Sequence, residues 1–298
     1  MDASFAVFSL SRYAGNVLHF FLIGIASALS GQTFDVTPLT VNQGGVLRVR
    51  SSNSAESARM NGRVIRLFPQ KEGGALGLMP VPAAEKPGNY KVELIDKNGN
   101  SLQSAAVTVQ DAHFPTQNLI ISEELSKLKP SPGETEAVAA FKNTVSDMRY
   151  WNEPFAAPVS GCLTSPFGVK RLHNGKPTGD YHTGFDQRSP ANGPIRAVAA
   201  GVVKIVREFN LHGGTIAIDH GQGVESIYLH MSKFATTEGA IVEKGDVIGY
   251  VGSTGRSTAP HLHWGVYVNG VAVNPAQWVQ LHACAAKRKA PRTASKSE

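Results

Sequence analysis

The sequence predicts a mainly β protein, in which a small Ig-like β-sandwich is joined by a helical linker to an antiparallel β-sheet domain with an open groove. Three observations predict it. Short runs of branched and aromatic residues recur between turn signals over most of the 298 residues. Glycine is abundant, with 30 copies, as a chain of many tight turns requires. Clear helical spacing is confined to a stretch between the two β-patterned regions. The length suffices for two modest domains, each with its own core.

The chain opens with Arg12 and an apolar run over 17–26, which passes into Ser27, Ala28, Leu29, Ser30 and Gly31. The run is shorter than the roughly 20 residues that a membrane-spanning helix needs, and small side chains at Ala28 and Ser30 suit signal-peptidase cleavage. Residues 1–30 are therefore expected to be a signal peptide or, uncleaved, an N-terminal anchor. Either way the body is exported, to the periplasm or cell envelope, with inner-membrane anchoring as the second form.

From 31 to 110, β-rich runs at 47–50, 63–67, 90–95 and 106–109 alternate with turns, including Asn98-Gly99, and predict the β-sandwich module. It holds no cluster of His, Cys or paired carboxylates, so a spacer or binding module is expected. Residues 111–153 form the linker. There Pro130-Ser131-Pro132-Gly133 breaks the chain, and Ala137, Val138, Phe141 and Val145 predict an amphipathic helix over 134–148, with a short helical turn at 123–128. The second domain, 154–283, is again β-patterned, with strands at 201–206, 215–218, 225–230 and 247–251 and a hairpin over 263–273 around Asn269-Gly270. Its Gly-rich polar loops are expected to rim the groove.

Residues 284–298 read as a basic, disordered tail carrying Lys287, Arg288, Lys289 and Lys296. With 29 Lys and Arg against 23 Asp and Glu, the formal charge of +6 favours polyanionic partners. No aromatic-interleaved platform or recognition-helix pattern accompanies it, so no nucleic-acid partner is expected. A polyanion-binding role through the tail is one function class that remains. Cys162 and Cys284 are the two cysteines of an apparently exported chain. They bracket the second domain, and because domain ends often meet, the pair is expected to lie close enough to bond.

The chemistry concentrates in that domain. His182 and Asp186 stand four apart in Tyr181-His182-Thr183-Gly184-Phe185-Asp186, a spacing that puts both on one face of a strand or of a helix, and Gly184 with the turn residues 189–194 favours an extended or loop setting over a helix. In Pro260-His261-Leu262-His263-Trp264-Gly265-Val266 two histidines again share a face, leaving Leu262, Trp264 and Val266 for the core. His230 ends a third strand on the face of Tyr228. One groove could thus collect four histidines and an aspartate. Two imidazoles and one carboxylate would leave zinc a net positive charge and an open fourth position, as catalytic zinc requires.

The segment from Pro158 to Pro275 resembles the lysostaphin-type, or LytM-type, zinc endopeptidases. Its landmarks are Leu163-Thr164-Ser165-Pro166-Phe167-Gly168, His182-Thr183-Gly184-Phe185-Asp186, Ala199-Ala200-Gly201, Ile218-Asp219-His220-Gly221, Tyr228-Leu229-His230, Gly252-Ser253-Thr254-Gly255 and His261-Leu262-His263-Trp264. One departure is Ala259, where the family commonly has glycine. The resemblance implies one Zn²⁺ per chain held by His182, Asp186 and His263, with His230 and His261 acting beside it on water or on the transition state. It also implies peptidoglycan as substrate, at a stem peptide or cross-link. The rival reading is a non-catalytic envelope protein of the same fold that activates a partner amidase. An envelope regulator is a further partner that the resemblance raises.

Other conspicuous residues have plainer readings. His220 is expected to be a structural turn residue, Trp264 a core residue, and 252–255 a loop that no lysine or helix completes into a phosphate cradle. His113, His173, His212 and His282 have no spaced partner.

Overall fold

The structure is a computed structural model and describes residues 33–52 and 57–284. The expected export segment at 1–30 and the basic run at 285–298 lie outside the described residues.

The N-terminal module is built from two sheets. Phe34–Thr37, Val46–Ser51, Ala75–Pro80 and Phe68–Pro69 form one, and Thr40–Asn42, Ser101–Gln110, Gly88–Ile95, Ser57–Met60 and Arg63–Arg66 form the other. Alternation along the strands sends Val49, Met79, Ala58, Val92, Leu94 and Val107 into one core shared by both sheets. Between Gly88–Ile95 and Ser101–Gln110 the chain turns at Asn98-Gly99, where Gly99 takes the positive φ of 82° that such turns require.

The linker is fastened at both ends. Thr116–Leu119 pairs in parallel with Lys170–His173 and thereby adds a third strand to the hairpin of Lys170–His173 and Lys176–Tyr181. A helical turn, Glu123–Lys127, follows, capped by the Ser122 hydroxyl. The helix after Gly133 is shorter than its apolar spacing suggests, running Glu134–Lys142. Asn143 ends it by returning both its backbone amide and its side-chain amide to the Ala139 carbonyl, and Val145 is left exposed. Val138 and Phe141 reach a buried cluster with Ile205, Phe209, Ala217, Ile227 and Leu229.

The second domain centres on one large sheet whose main path is Leu163–Ser165, Phe185–Gln187, Leu262–Val268, Val224–Phe234, Gly213–Gly221, Gly201–Phe209 and Ile241–Val242, all antiparallel. The hairpin predicted around Asn269-Gly270 forms, with both turn residues at positive φ. One face of the sheet packs Trp264, Tyr228, Ile216, Ile218 and Val266 into the main core, which also takes in Val46 and Leu78 from the N-terminal module. Cys162 and Cys284 are disulfide-bonded, with Cα atoms 4.9 Å apart. The bond ties the start of Leu163–Ser165 to the end of the domain, where Leu163 bridges Ala283.

Candidate metal centre

The site is assembled on the sheet face opposite Trp264. Phe185 and Trp264 meet edge to face, with ring centroids 5.7 Å apart, on the core side. Alternation therefore turns Asp186 and His263, which stand opposite each other across the strand pair, to the other side. His182 takes the loop setting, one of the two that its surroundings favour, rather than a place on a strand. It lies in the bend between Lys176–Tyr181 and Phe185–Gln187, so it shares no strand with Asp186. Gly184 makes the bend feasible, because a Cβ there would overlap the Trp264 carbonyl. His182 is then pinned by two backbone bonds of 2.8 Å, its amide to Val169 and its carbonyl from Gly168.

Three donor atoms converge. His182 Nε2 lies 3.0 Å from Asp186 Oδ1 and 3.0 Å from His263 Nδ1, and His263 Nδ1 lies 2.9 Å from Asp186 Oδ1. Among the described residues this is the group able to share an ion. The tautomer of His182 follows from its other nitrogen. Nδ1 sits 2.7 Å from the Pro166 carbonyl, which can only accept, so Nδ1 carries a hydrogen and Nε2 is the nitrogen turned to the site. An imidazole nitrogen, a carboxylate oxygen and a second imidazole nitrogen at these separations form a donor set that a divalent cation satisfies. Two nitrogens and one oxygen with room for a further ligand suit zinc.

Burial pushes the Asp186 carboxyl up, but hydrogen bonds with His182 and His263 outweigh it and hold the group well below its usual range. Burial brings His263 down to about 4 against the pull of Asp186, which keeps the ring neutral near pH 7.

His230 and His261 join this cluster. Their rings stand 5.0 Å apart, and the His230 ring is 6.3 Å from that of His263. Strict alternation after Tyr228, whose side chain is in the main core, would send His230 to the core side too. Instead the pairing between Gly213–Gly221 and Val224–Phe234 slips by one residue between Gly214 and Ile216, and His230 adopts a positive φ of 62°. This bulge re-aims the side chain to the metal face. His230 Nδ1 donates to the Thr254 carbonyl at 2.8 Å and His261 Nδ1 to the Ala259 carbonyl at 2.8 Å, leaving both Nε2 atoms bare. His261 Nε2 lies 3.8 Å from Asp186 Oδ1. Burial, followed by the neighbouring His261 and His263, lowers His230 to about 3.

Residues that the sequence pattern did not single out support the set. Arg171 Nη2 donates to Asp186 Oδ2 at 2.7 Å, so one carboxylate oxygen faces the cation site and the other a guanidinium. Ser165 Oγ, 3.5 Å from His182 Nδ1, donates to Gln117 Oε1 of the linker at 3.0 Å. Spacing could not expose Arg171, because its strand meets Asp186 only through the folded hairpin. His220 is buried near the end of Gly213–Gly221, with Nδ1 2.7 Å from the Ala200 carbonyl and Nε2 2.7 Å from Ser226 Oγ. It is held within the core by these bonds, but it lies in a strand and not in the turn expected, which falls at 222–223; Trp264 is fully buried.

Comparison with known proteins points one way. The model of peptidase family M23 matches residues 180–275. A DD-carboxypeptidase/endopeptidase Mpg of Neisseria meningitidis serogroup B is 46% identical over 113 residues, 38% of this chain and 26% of that protein. The peptidoglycan DD-endopeptidase ShyA of Vibrio cholerae is 37% identical over 112 residues, again 38% of this chain and 26% of that protein. The chain thus spans about a quarter of the length of these curated relatives. A crystal structure from Pseudomonas aeruginosa assigned to peptidase M23 superposes with a TM-score of 0.62 at 30% identity, covering 79% of this chain and 93% of that one.

Proposed function

The chain belongs to peptidase family M23, and from that premise we propose that it is a zinc-dependent endopeptidase that hydrolyses stem peptides or peptide cross-links of bacterial peptidoglycan. The observation that carries this reading is the convergence of His182 Nε2, Asp186 Oδ1 and His263 Nδ1 on one point, flanked by two more histidines with bare Nε2 atoms. The names of the Neisseria and Vibrio relatives support the substrate class and, with it, an envelope or periplasmic location. No helix among the described residues is long and apolar enough to cross a membrane.

In this reading His182, Asp186 and His263 hold the ion, and residues 154–283 are the catalytic unit. Bound zinc supplies Lewis-acid polarisation of the scissile carbonyl and brings the acidity of water to near neutrality. His230 and His261 are fixed by their Nδ1–H bonds to backbone carbonyls, so each offers Nε2 to accept a proton from the attacking water and return it to the leaving amine. Burial lowers His230 to about 3, so its ring is neutral at neutral pH. Arg171 orients Asp186 through Oδ2.

The test is digestion of purified, cross-linked peptidoglycan by the full chain, with products identified by mass. Cleavage that a chelator abolishes and zinc restores is the expected result. The intact donor set weighs against the amidase-activator reading, which predicts no cleavage by the chain alone.

A further inference from the structure

Glu134, the first residue of Glu134–Lys142, is fully buried, although it belongs to the linker and touches none of the metal-site side chains described above. Its carboxylate gathers three successive backbone amides. Asn210 donates to Oε2 at 3.1 Å, and Leu211 and His212 donate to Oε1 at 3.0 Å each. His212 Nδ1 lies 2.6 Å from Oε1, and Ser131 donates its amide and hydroxyl to Oε2 at 2.7 and 2.9 Å. Successive amides converging on an anion form a nest, here occupied by a side chain of the same protein. Burial alone pushes the carboxyl up, but the bonds from His212 and Ser131 outweigh it and bring Glu134 down to about 2, so the anion is permanent near neutrality.

The loop held in this way reaches His230 by two routes. The His212 carbonyl accepts the His230 amide at 3.0 Å, at the bulge where His230 has its φ of 62°. Gly214 donates to Thr254 Oγ1 at 2.8 Å, and the carbonyl of that same Thr254 receives His230 Nδ1 at 2.8 Å. Arg256 completes the zipper by donating its amide to the Leu211 carbonyl at 3.0 Å. Left-handed backbone at a non-glycine residue persists only where the surroundings over-determine it. Here those surroundings are organised by one carboxylate.

We propose that Glu134 is a positioning residue for His230, setting its backbone through the His212 carbonyl and its ring through Thr254. This rests on the reading of His230 as a proton-handling group. Replacing the carboxylate by an amide removes the charge that holds the loop and turns an N–H₂ against backbone donors. Loop 210–212 then relaxes, and His230 loses the bonds that aim Nε2.

The experiment compares Glu134→Gln, Glu134→Asp and the exposed control Glu136→Gln in the full chain. It measures bound zinc, kcat and KM on a cross-linked peptidoglycan fragment, and the NMR signals of the His230 amide and ring. Glu134→Gln is expected to retain stoichiometric zinc and a KM within about twofold, and to lose roughly 10- to 100-fold in kcat. Its His230 signals should move, Glu134→Asp should recover part of the loss, and Glu136→Gln should match the parent chain. The proposal is overturned if Glu134→Gln keeps the control's kcat with unmoved His230 signals, or if zinc is lost along with the rate. Should the parent chain cleave no peptidoglycan, the functional reading fails, while the His230 signals still decide whether Glu134 positions that residue.

Discussion

Asp186 and His263 stand directly opposite each other on neighbouring antiparallel strands, with Asp186 Oδ1 2.9 Å from His263 Nδ1. This cross-strand pair is the fixed half of the site. His182 is delivered to it by a bend, and His230 by a bulge. The proposed ligand roles rest on this arrangement, and their consequences can be tested.

Alanine at His182, Asp186 or His263 is expected to abolish zinc retention, whereas alanine at His230 or His261 leaves zinc bound. Rates should fall in both groups. Loss of a proton-handling group typically costs about 10² to 10⁴ in rate while sparing the metal. Metal analysis of the purified variants checks the division, and full zinc in His263→Ala with loss in His261→Ala would reverse it.

Arg171→Gln is expected to weaken zinc binding about 10- to 100-fold, because Asp186 then loses the guanidinium that fixes Oδ2. Competition with a chelator of known affinity measures the change. Unchanged affinity would show that the strands alone orient Asp186.

Glu225 carries a different consequence. It is fully buried beside Asp219 on the adjoining strand, and neither carboxylate oxygen has a hydrogen-bond partner. Burial first, and then the Asp219 charge, push it from an ordinary 4.5 up to about 10, so it is protonated in the folded protein. A raised folded value means that its contribution to stability is complete below about pH 4.5 and is lost as pH rises towards 10. Glu225→Gln removes this penalty and should stabilise the protein at pH 7, by at most about 3 kcal/mol over two and a half pH units. Denaturation at pH 4.5 and 7 tests it, with a gain expected at pH 7 that shrinks at the lower pH.

Replacing Cys162 and Cys284 together by serine should lower stability by about 2 to 4 kcal/mol, since the bond closes a long loop across the catalytic sheet. Zinc content should persist, because the hydrogen bonds that fix the site's four histidines and Asp186 involve neither cysteine. Equal unfolding midpoints in the parent and the double variant would count against a structural role for the bond.

What could be read in the sequence was local. Strand periods, the Asn269-Gly270 and Asn98-Gly99 turns and the burial of Trp264 are dictated by near neighbours, and the structure agrees with them. Even spacing brings His261 and His263 to one side, but it is not what delivers His182, which sits in a loop, or His230, which sits at a bulge. The first depends on Gly184 passing the Trp264 carbonyl, and the second on a one-residue slip against a neighbouring strand. Neither close approach nor register is written in a single segment. Arg171 and Glu134 were silent for the same reason, since each meets its partner only after the hairpin or the linker has folded back.

The central claim is that His182, Asp186 and His263 hold one zinc ion, and anomalous diffraction from a zinc-loaded crystal, collected on both sides of the zinc absorption edge, tests it most directly. The account predicts a single strong peak about 2 Å from His182 Nε2, Asp186 Oδ1 and His263 Nδ1. A zinc-loaded crystal with no peak there, or with its peak ligated by His230 and His261 instead, would contradict it.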